Sequence, residues 1–231
     1  MKLPNRNIKC NLKAYQFANF ISVASQHVKE SFLLHQYPEN RIFVNPYGVD
    51  LSMFKPLPNI PKKYDVIMVG GWGYEKGCDL IVEAIRKTNY SFIHVGSIKD
   101  VDFPQEKNFT HIDPVDQSKL IEYYNQAKVF ILPSRQDGFG MVLSQALACN
   151  LPIIGSNNCG APDLKKMVEL PEYITIIKDY TADAIVTAIH TAIKNYEQLG
   201  ERIYAGNAIE NLTWEAYGKR YANFLHKIIK Q

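Results

Sequence analysis

Short apolar runs alternate with longer amphipathic stretches along most of this chain. The apolar runs are rich in Val, Ile and Phe, as expected for strands that are covered on both faces of a sheet. The pattern predicts strands at 20–24, 42–44, 65–69, 91–95, 109–112, 129–132, 152–155 and 173–177. It predicts helices at 26–35, 78–87, 117–126, 139–149 and 163–168, and two or three more from residue 181 to the end. This alternation indicates right-handed βαβ units and an α/β fold, a Rossmann-like parallel sheet flanked by helices.

The segment 129–152 holds the densest group of candidate binding residues. Ligands of parallel sheets bind beyond the carboxyl ends of the strands, and this segment follows a predicted strand into a glycine-bracketed turn. Gly138 and Gly140 allow a tight turn that brings backbone amides close to a ligand. The helix that starts near residue 139 ends at Asn150, a residue suited to a left-handed cap. Its first N–H groups suit a phosphate or diphosphate.

Two polar side chains bracket the start of this helix. Asp137 and Gln145 are eight residues apart, which is about 12 Å along a helix axis. That separation allows one side chain to meet a sugar while the other meets a ribose. The segment is therefore a candidate nucleotide-sugar site.

Four segments, in the same order along the chain, resemble family 4 (group 1) glycosyltransferases of the GT-B fold. PSRQDGFG at 133–140 resembles the donor-site signature Pro-Ser-x-x-Glu-Gly-Phe-Gly, which precedes a helix with a second Glu. Asp137 and Gln145 stand at the two Glu positions. VNPYGVDLSMF resembles the family's linker motif, and VGGWGYEKG resembles Val-Gly-Arg-x-x-x-Glu-Lys-Gly, with Lys76 kept and Gly71 in place of the Arg. ISVAS at 21–25 resembles the end of the family's N-terminal domain.

The resemblance implies the C-terminal, donor-binding half of a GT-B enzyme. Residues 1–45 would be a remnant of the N-terminal acceptor domain, 46–63 a linker, 64–212 the nucleotide-sugar-binding domain and 213–231 a crossover helix. The implied reaction is hexosyl transfer from a UDP-, GDP- or ADP-sugar to a hydroxyl of a glycan or lipid-linked acceptor. It would proceed with anomeric retention and without a metal or other cofactor, and the chain alone would be poorly active.

The same resemblance implies roles for individual residues. Lys76 would stabilise charge on the diphosphate and Asp137 would contact the sugar hydroxyls, so both are predicted as catalytic. The predicted donor-binding residues are Gly70, Gly71, Trp72, Val115, Gly138, Phe139, Gly140, Met141, Val142 and Gln145. Alternatives stay open at four positions: Lys76 as a solvated lysine, Asp137 as a helix cap, Trp72 as a core residue, and Gln145 as an ordinary surface residue.

Charge and cysteine content restrict the partners, the metal sites and the compartment that we expect. A net charge of +3 over 231 residues gives no argument for a nucleic-acid partner. Four scattered cysteines form no CxxC pair, so neither a zinc site nor a disulfide framework is predicted, and reduced thiols indicate the cytoplasm. No Asp-x-Asp pair is placed to hold a metal on a diphosphate. Basic residues near both ends are expected to form solvated surface, with weak attraction to an anionic membrane as the alternative. They are Lys2, Arg6, Lys9, Lys13, Lys219, Arg220, Lys227 and Lys230.

A different class of function also fits the sequence. Because both glutamates and the arginine are replaced, the chain is alternatively an inactive nucleotide-sugar-binding or scaffolding subunit that pairs with a partner chain. A nucleotide-sugar epimerase of the same fold would need catalytic acids and a histidine that the sequence does not place. Phe17, Phe20, Phe224 and Leu225 are expected to form an exposed patch that favours self-association or a partner chain.

Overall fold

A computed structural model describes residues 5–199 and 206–230, with the backbone alone for 5–9, 199 and 206–208. Six strands form one sheet, and they are β3 (Tyr64–Val69), β4 (Phe92–Val95), β5 (Phe109–Ile112), β6 (Ala127–Leu132), β7 (Ile153–Ser156) and β8 (Ile174–Ile177). All six are parallel, and their order in the sheet is β5–β4–β3–β6–β7–β8. The predicted parallel sheet is therefore confirmed.

Helices cover this sheet on both faces. Successive residues of β3 and β6, such as Val66–Val69 and Val129–Leu132, are all buried, and successive strand residues point to opposite faces. The flanking helices are α3 (Cys78–Arg86), α4 (Gln117–Asn125), α5 (Met141–Ala148), α6 (Ala161–Lys165) and α7 (Ala182–Leu199). Helix α5 begins two residues later than predicted, and Asn150 takes the expected left-handed conformation after its end, with φ +63°.

A second, smaller unit lies beside the first. Strands β1 (Ile21–Val23) and β2 (Ile42–Val44) pair in parallel, and α1 (Asn5–Phe17), α2 (Gln26–Leu34) and α8 (Trp214–Ile229) accompany them. The hydrophobic pattern did not predict α1. Phe224 of α8 stacks on Phe43 at 4.1 Å between ring centroids and meets Phe20 edge-on at 5.3 Å.

Contacts within this smaller unit change two predictions about which residues are exposed. Phe20 and Phe224 are half-buried in it, so the predicted exposed patch is wrong for these residues, while Phe17 and Leu225 are exposed. Arg220 is not a free surface charge either, because its guanidinium donates to Asn45 Oδ1 at 2.7 Å and to the carbonyl of Pro46 at 2.8 Å. Lys2 and the side chains of Arg6 and Lys9 lie outside the described residues.

Two buried histidines support the loop that follows β3. His94 Nε2 lies 2.8 Å from the carbonyl oxygen of Gly70, which can only accept, so this nitrogen carries the hydrogen. His94 Nδ1 must then accept the hydrogen that His111 Nδ1 donates across 2.9 Å. His111 Nε2 lies 3.4 Å from the carboxylate of Asp113. A chain of polar contacts therefore runs from the exposed Asp113 to the backbone of Gly70.

Within the described ranges, no helix is both long and apolar enough to cross a membrane. All four cysteines are free thiols, with Cys10 exposed and Cys78, Cys149 and Cys159 buried. Burial raises the pKa of the Cys78 and Cys149 thiols to about 12, so neither is a thiolate near neutral pH.

Gly96 tests how tightly the β3 and β4 loops are packed. Its φ is +149° and an added Cβ would collide with the carbonyl oxygen of Gly70. Gly96→Ala is expected to lower the free energy of unfolding by about 2 kcal/mol, because it adds backbone strain and a clash with main-chain atoms. The matched control is Gly218→Ala in α8. Gly218 is exposed and has open space around it, so this change should raise the free energy of unfolding by about 0.5–1 kcal/mol. Urea unfolding measures both, and equal effects at the two positions would contradict this packing.

His94 makes stability depend on pH. Burial lowers the pKa of His94 from 6.5 to about 4 in the folded chain, whereas the unfolded chain protonates near the ordinary value. The unfolded state therefore binds more protons between these values, and stability falls as the pH drops from about 6.5 to about 4. The wild type should lose about 3 kcal/mol more than His94→Gln over this range. His190→Gln, at an exposed site, is the matched control, and parallel pH curves for wild type and His94→Gln would contradict the assignment.

Candidate functional site

A cleft of about 620 Å³ lies between the carboxyl edge of the six-stranded sheet and the smaller β1–β2 unit. This volume is within the range of pockets that bind small molecules and cofactors. The smaller unit lines it with Tyr15, Ile21, Ser22, Val23, Ala24, Val28, Phe32 and Tyr47. The large sheet lines it with Val69, Gly70, Lys76, Leu132, Asp137, Gly138, Phe139, Gly140, Met141 and Val142.

An ion pair joins the two central loops of this cleft. Lys76, on the loop after β3, places Nζ 2.6 Å from Oδ2 of Asp137, on the loop after β6. Their side chains are 23% and 17% exposed, so the alternative of a solvated surface lysine is wrong. Oδ1 of Asp137 accepts the amide hydrogen of Phe139 at 3.1 Å. Asp137 thus braces the turn before α5, and Gly140 takes the cap position itself.

Arg135 fixes the loop that carries Lys76. Its guanidinium binds both carboxylate oxygens of Asp79, at 2.6 and 2.8 Å, and lies 3.7 Å from the ring centre of Tyr74. It also donates to the carbonyl of Tyr74, and its own amide donates to the carbonyl of Glu75. Hydrogen bonding to Asp79 raises the pKa of Arg135. The bidentate contact and the stacked ring hold both loops in one arrangement.

The start of α5 presents backbone donors to the cleft. The amides of Gly140, Met141 and Val142 have no acceptor among the described residues, whereas Leu143 N donates to the carbonyl of Gly140 at 2.8 Å. These three amides are therefore available to a ligand. Phe139 is different, because its amide is used by Asp137 and its ring is buried beside Gly160.

Gln145 is buried, so the alternative of an ordinary surface residue is wrong. Its Oε1 accepts the hydroxyl hydrogen of Tyr124 at 2.9 Å, and burial raises the pKa of that tyrosine well above its ordinary value. The amide borders a second cavity of about 190 Å³, which Asp50 and Trp214 also line. With its oxygen held by Tyr124, Gln145 contributes mainly an N–H donor to this cavity.

Trp72 lies in the core rather than over the cleft. Its indole is buried and packs against Phe92, His94 and Phe103 at centroid distances of 5.6, 4.9 and 5.1 Å. Its predicted role as a cover over a ligand is therefore wrong for the side chain in this structure. Val115 is half-buried and packs against the core on the loop before α4.

The structure also brings residues to the cleft that the motifs did not predict. Tyr47, in the segment that resembles the linker motif, lines the cleft and packs edge-on against Phe139 at 5.6 Å between ring centroids. The buried Ser25 donates its hydroxyl hydrogen to the carbonyl of Gly138 at 2.6 Å, which ties α2 to the signature loop. Lys99 lies across Gly71, and no local pattern marked that contact.

Among the residues that the structure describes, no cluster of three or more His, Cys, Asp or Glu side chains could hold a metal ion. Lys76 is the lysine among the residues that line the cleft.

Comparisons with curated proteins find relatives over most of this chain. The chain is 26% identical to a probable sucrose-phosphate synthase of Thermosipho melanesiensis, over 93% of this chain and 56% of that protein. It is 23% identical to a GDP-mannose-dependent alpha-(1-6)-phosphatidylinositol monomannoside mannosyltransferase of Mycolicibacterium smegmatis, over 90% of this chain and 62% of that protein. The chain thus spans little more than half the length of these relatives.

Solved structures share the fold. Anabaena Alr3699/HepE in complex with UDP and glucose matches with a TM-score of 0.77 and 16% identity, over 97% of this chain and 67% of that one. Sucrose-phosphate synthase of Thermosynechococcus elongatus matches with a TM-score of 0.72 and 19% identity, over 99% and 63%. The predicted GT-B type of fold is confirmed. The family model described as glycosyl transferases group 1 matches residues 51–208. The chain therefore belongs to the group 1 glycosyl transferases.

Proposed function

We propose that the cleft binds a nucleotide-diphosphate sugar and that the chain supplies the donor site of a hexosyl transfer to a hydroxyl acceptor. The observation that carries the proposal is the meeting of Lys76 with the free amides at the start of α5 in a cleft of suitable size. A cation and a helix N-terminus together form a site for an anion. The relative of known fold that holds UDP, Anabaena Alr3699/HepE, supports the same ligand class.

The diphosphate would lie over the start of α5. There the amides of Met141 and Val142 donate hydrogen bonds, and Lys76 stabilises the charge that grows on the leaving nucleotide. These groups carry out the task that a divalent metal performs in other transferases, so we propose a metal-independent reaction. Retention at the anomeric carbon is part of the proposal through the family resemblance.

Asp137 and Gln145 would orient the two ends of the donor. Asp137 has one carboxylate oxygen on Lys76 and the other on the amide of Phe139, so a sugar hydroxyl would donate to a carboxylate that is already fixed. Gln145 would donate its N–H to a ribose hydroxyl, because Tyr124 already occupies its oxygen. Gln145 lacks the charge of the glutamate in the resembled motif, and Asp137 keeps the charge on a side chain that is about one methylene shorter.

The acceptor side belongs to the same proposal. Residues of α1, α2 and β1 line the cleft opposite the donor loops, and a glycan or lipid-linked hydroxyl would approach from there. We propose that the chain by itself transfers slowly and that a partner chain or a second copy completes the acceptor side. An inactive nucleotide-sugar-binding subunit is the second candidate, favoured by Asp137 and Gln145 in the two Glu positions.

Nucleotide binding can be tested directly by thermal unfolding with UDP, GDP, ADP and their common sugar conjugates. One nucleotide series at a hundred times its dissociation constant should stabilise the chain by about 2.7 kcal/mol, or about 5–10 °C. Lys76→Ala should abolish the shift, because it removes the cation at the phosphates. Lys107→Ala is the control, since this exposed lysine precedes β5 at the opposite edge of the sheet. The absence of a shift with every series would contradict the proposal.

The role of Asp137 separates nucleotide binding from sugar binding. Asp137→Asn removes a negative charge beside the phosphates and releases Lys76, so free UDP should bind a few-fold more tightly. The same change weakens the contact to the sugar, so the advantage of UDP-sugar over UDP should shrink. Calorimetric titration of wild type and variant with both ligands measures the difference. Equal changes in affinity for the two ligands would show that Asp137 does not contact the sugar. The charge-matched control is Glu122→Gln, at an exposed position of α4.

A further inference from the structure

Lys99, on the loop after β4, lies directly against the loop after β3. The stem of Lys99 crosses Gly71 so closely that an added Cβ at Gly71 would collide with Lys99 Cε, and Lys99 Nζ lies 2.8 Å from that point. The space that a side chain at position 71 would occupy is therefore filled by the end of Lys99. Gly71 stands where the resembled motif carries an arginine, so the end of Lys99 lies where the first atom of that side chain would be.

The position of Lys99 is fixed by its backbone. Its amide donates to the carbonyl of Trp72 at 2.9 Å, and the amide of Trp72 donates to the carbonyl of Ser97 at 2.8 Å. The next residue, Asp100, accepts the amide hydrogen of Tyr74 at 2.9 Å. These bonds join the loops after β3 and β4 along several residues, so Lys99 emerges at the carboxyl edge of the sheet beside Gly71.

The ion pair in the cleft supplies no net positive charge for an anionic ligand. Lys76 is neutralised by Asp137 at 2.6 Å, so the pair adds no net charge to the site, while a nucleoside diphosphate brings several negative charges. Lys99 forms no ion pair with any carboxylate in the described part of the chain, and its side chain is exposed. Its charge is available to a ligand that lies over Gly70 and Gly71.

We propose that Lys99 is the second cation of the donor site and binds the diphosphate of the nucleotide sugar from above Gly71. This inference rests on the proposed function, because it names a further contact of the same ligand. It also accounts for Gly71, since any larger side chain there would displace the Lys99 stem.

Calorimetric titration of the wild type, Lys99→Ala and Lys99→Arg with UDP, GDP and ADP tests the inference. For the nucleotide that binds, Lys99→Ala should raise Kd about tenfold, because a charge-assisted contact is lost. It should also weaken the dependence of Kd on salt, since one fewer charge is screened. Lys99→Arg should stay within about threefold of the wild type, as expected when charge is kept. Lys107→Ala is again the control, and unfolding temperatures verify that each variant is folded.

A reciprocal exchange sharpens the test. With the Lys99 stem removed, the double variant Gly71→Arg/Lys99→Ala has room for a cation at position 71 and should recover most of the lost affinity. Wild-type affinity in Lys99→Ala, with binding still lost in Lys76→Ala, would overturn the inference and leave the proposed function standing. Failure of all three nucleotides to bind the wild type would overturn both.

Discussion

The parallel pairing of β3 with β6 is the constraint on which the site depends. Val66 pairs with Val129 and Ile67 with Phe130 at the centre of the sheet, so the loops that follow the two strands leave the same edge side by side. Lys76 and Asp137 meet there although 61 residues separate them. Gly77 allows the close approach, because its φ is +74° and an added Cβ would collide with the carbonyl oxygen of Pro133. A shift in this strand register would move Lys76 away from Asp137 and the start of α5.

Electrostatics make the cleft ready for an anion without making it strongly positive. Lys76 and Asp137 are mostly buried, and their opposite charges lie 2.6 Å apart and offset each other. In the proposed complex a diphosphate would share Lys76 with Asp137, so the amides at the start of α5 and the nearby Lys99 would set how strongly it is held. The rigid contacts of Arg135 with Asp79 and Tyr74 belong to the scaffold, because they fix the Lys76 loop in advance of binding.

Sequence patterns predicted the parts of this fold that arise from short-range order. The apolar runs gave the six strands of the main sheet within one or two residues, and Asn150 marked the end of α5 through its tolerance of positive φ. The helix 5–17 was not predicted because its composition is polar. The burial of Trp72 and Gln145, and the contact of Lys99 with Gly71, depend on neighbours that are distant in the chain. Spacing within one segment carries no information about such contacts.

The most direct test of the central claim is a crystal structure of the chain grown with UDP. It locates the phosphates relative to the ion pair and to α5, which binding constants alone do not. The account predicts the β-phosphate within hydrogen-bond distance of Lys76 Nζ and of the amides of Met141 or Val142, with Lys99 Nζ turned towards the diphosphate. Density for UDP at another surface, or phosphates that leave the Lys76–Asp137 pair and the start of α5 untouched, would contradict it.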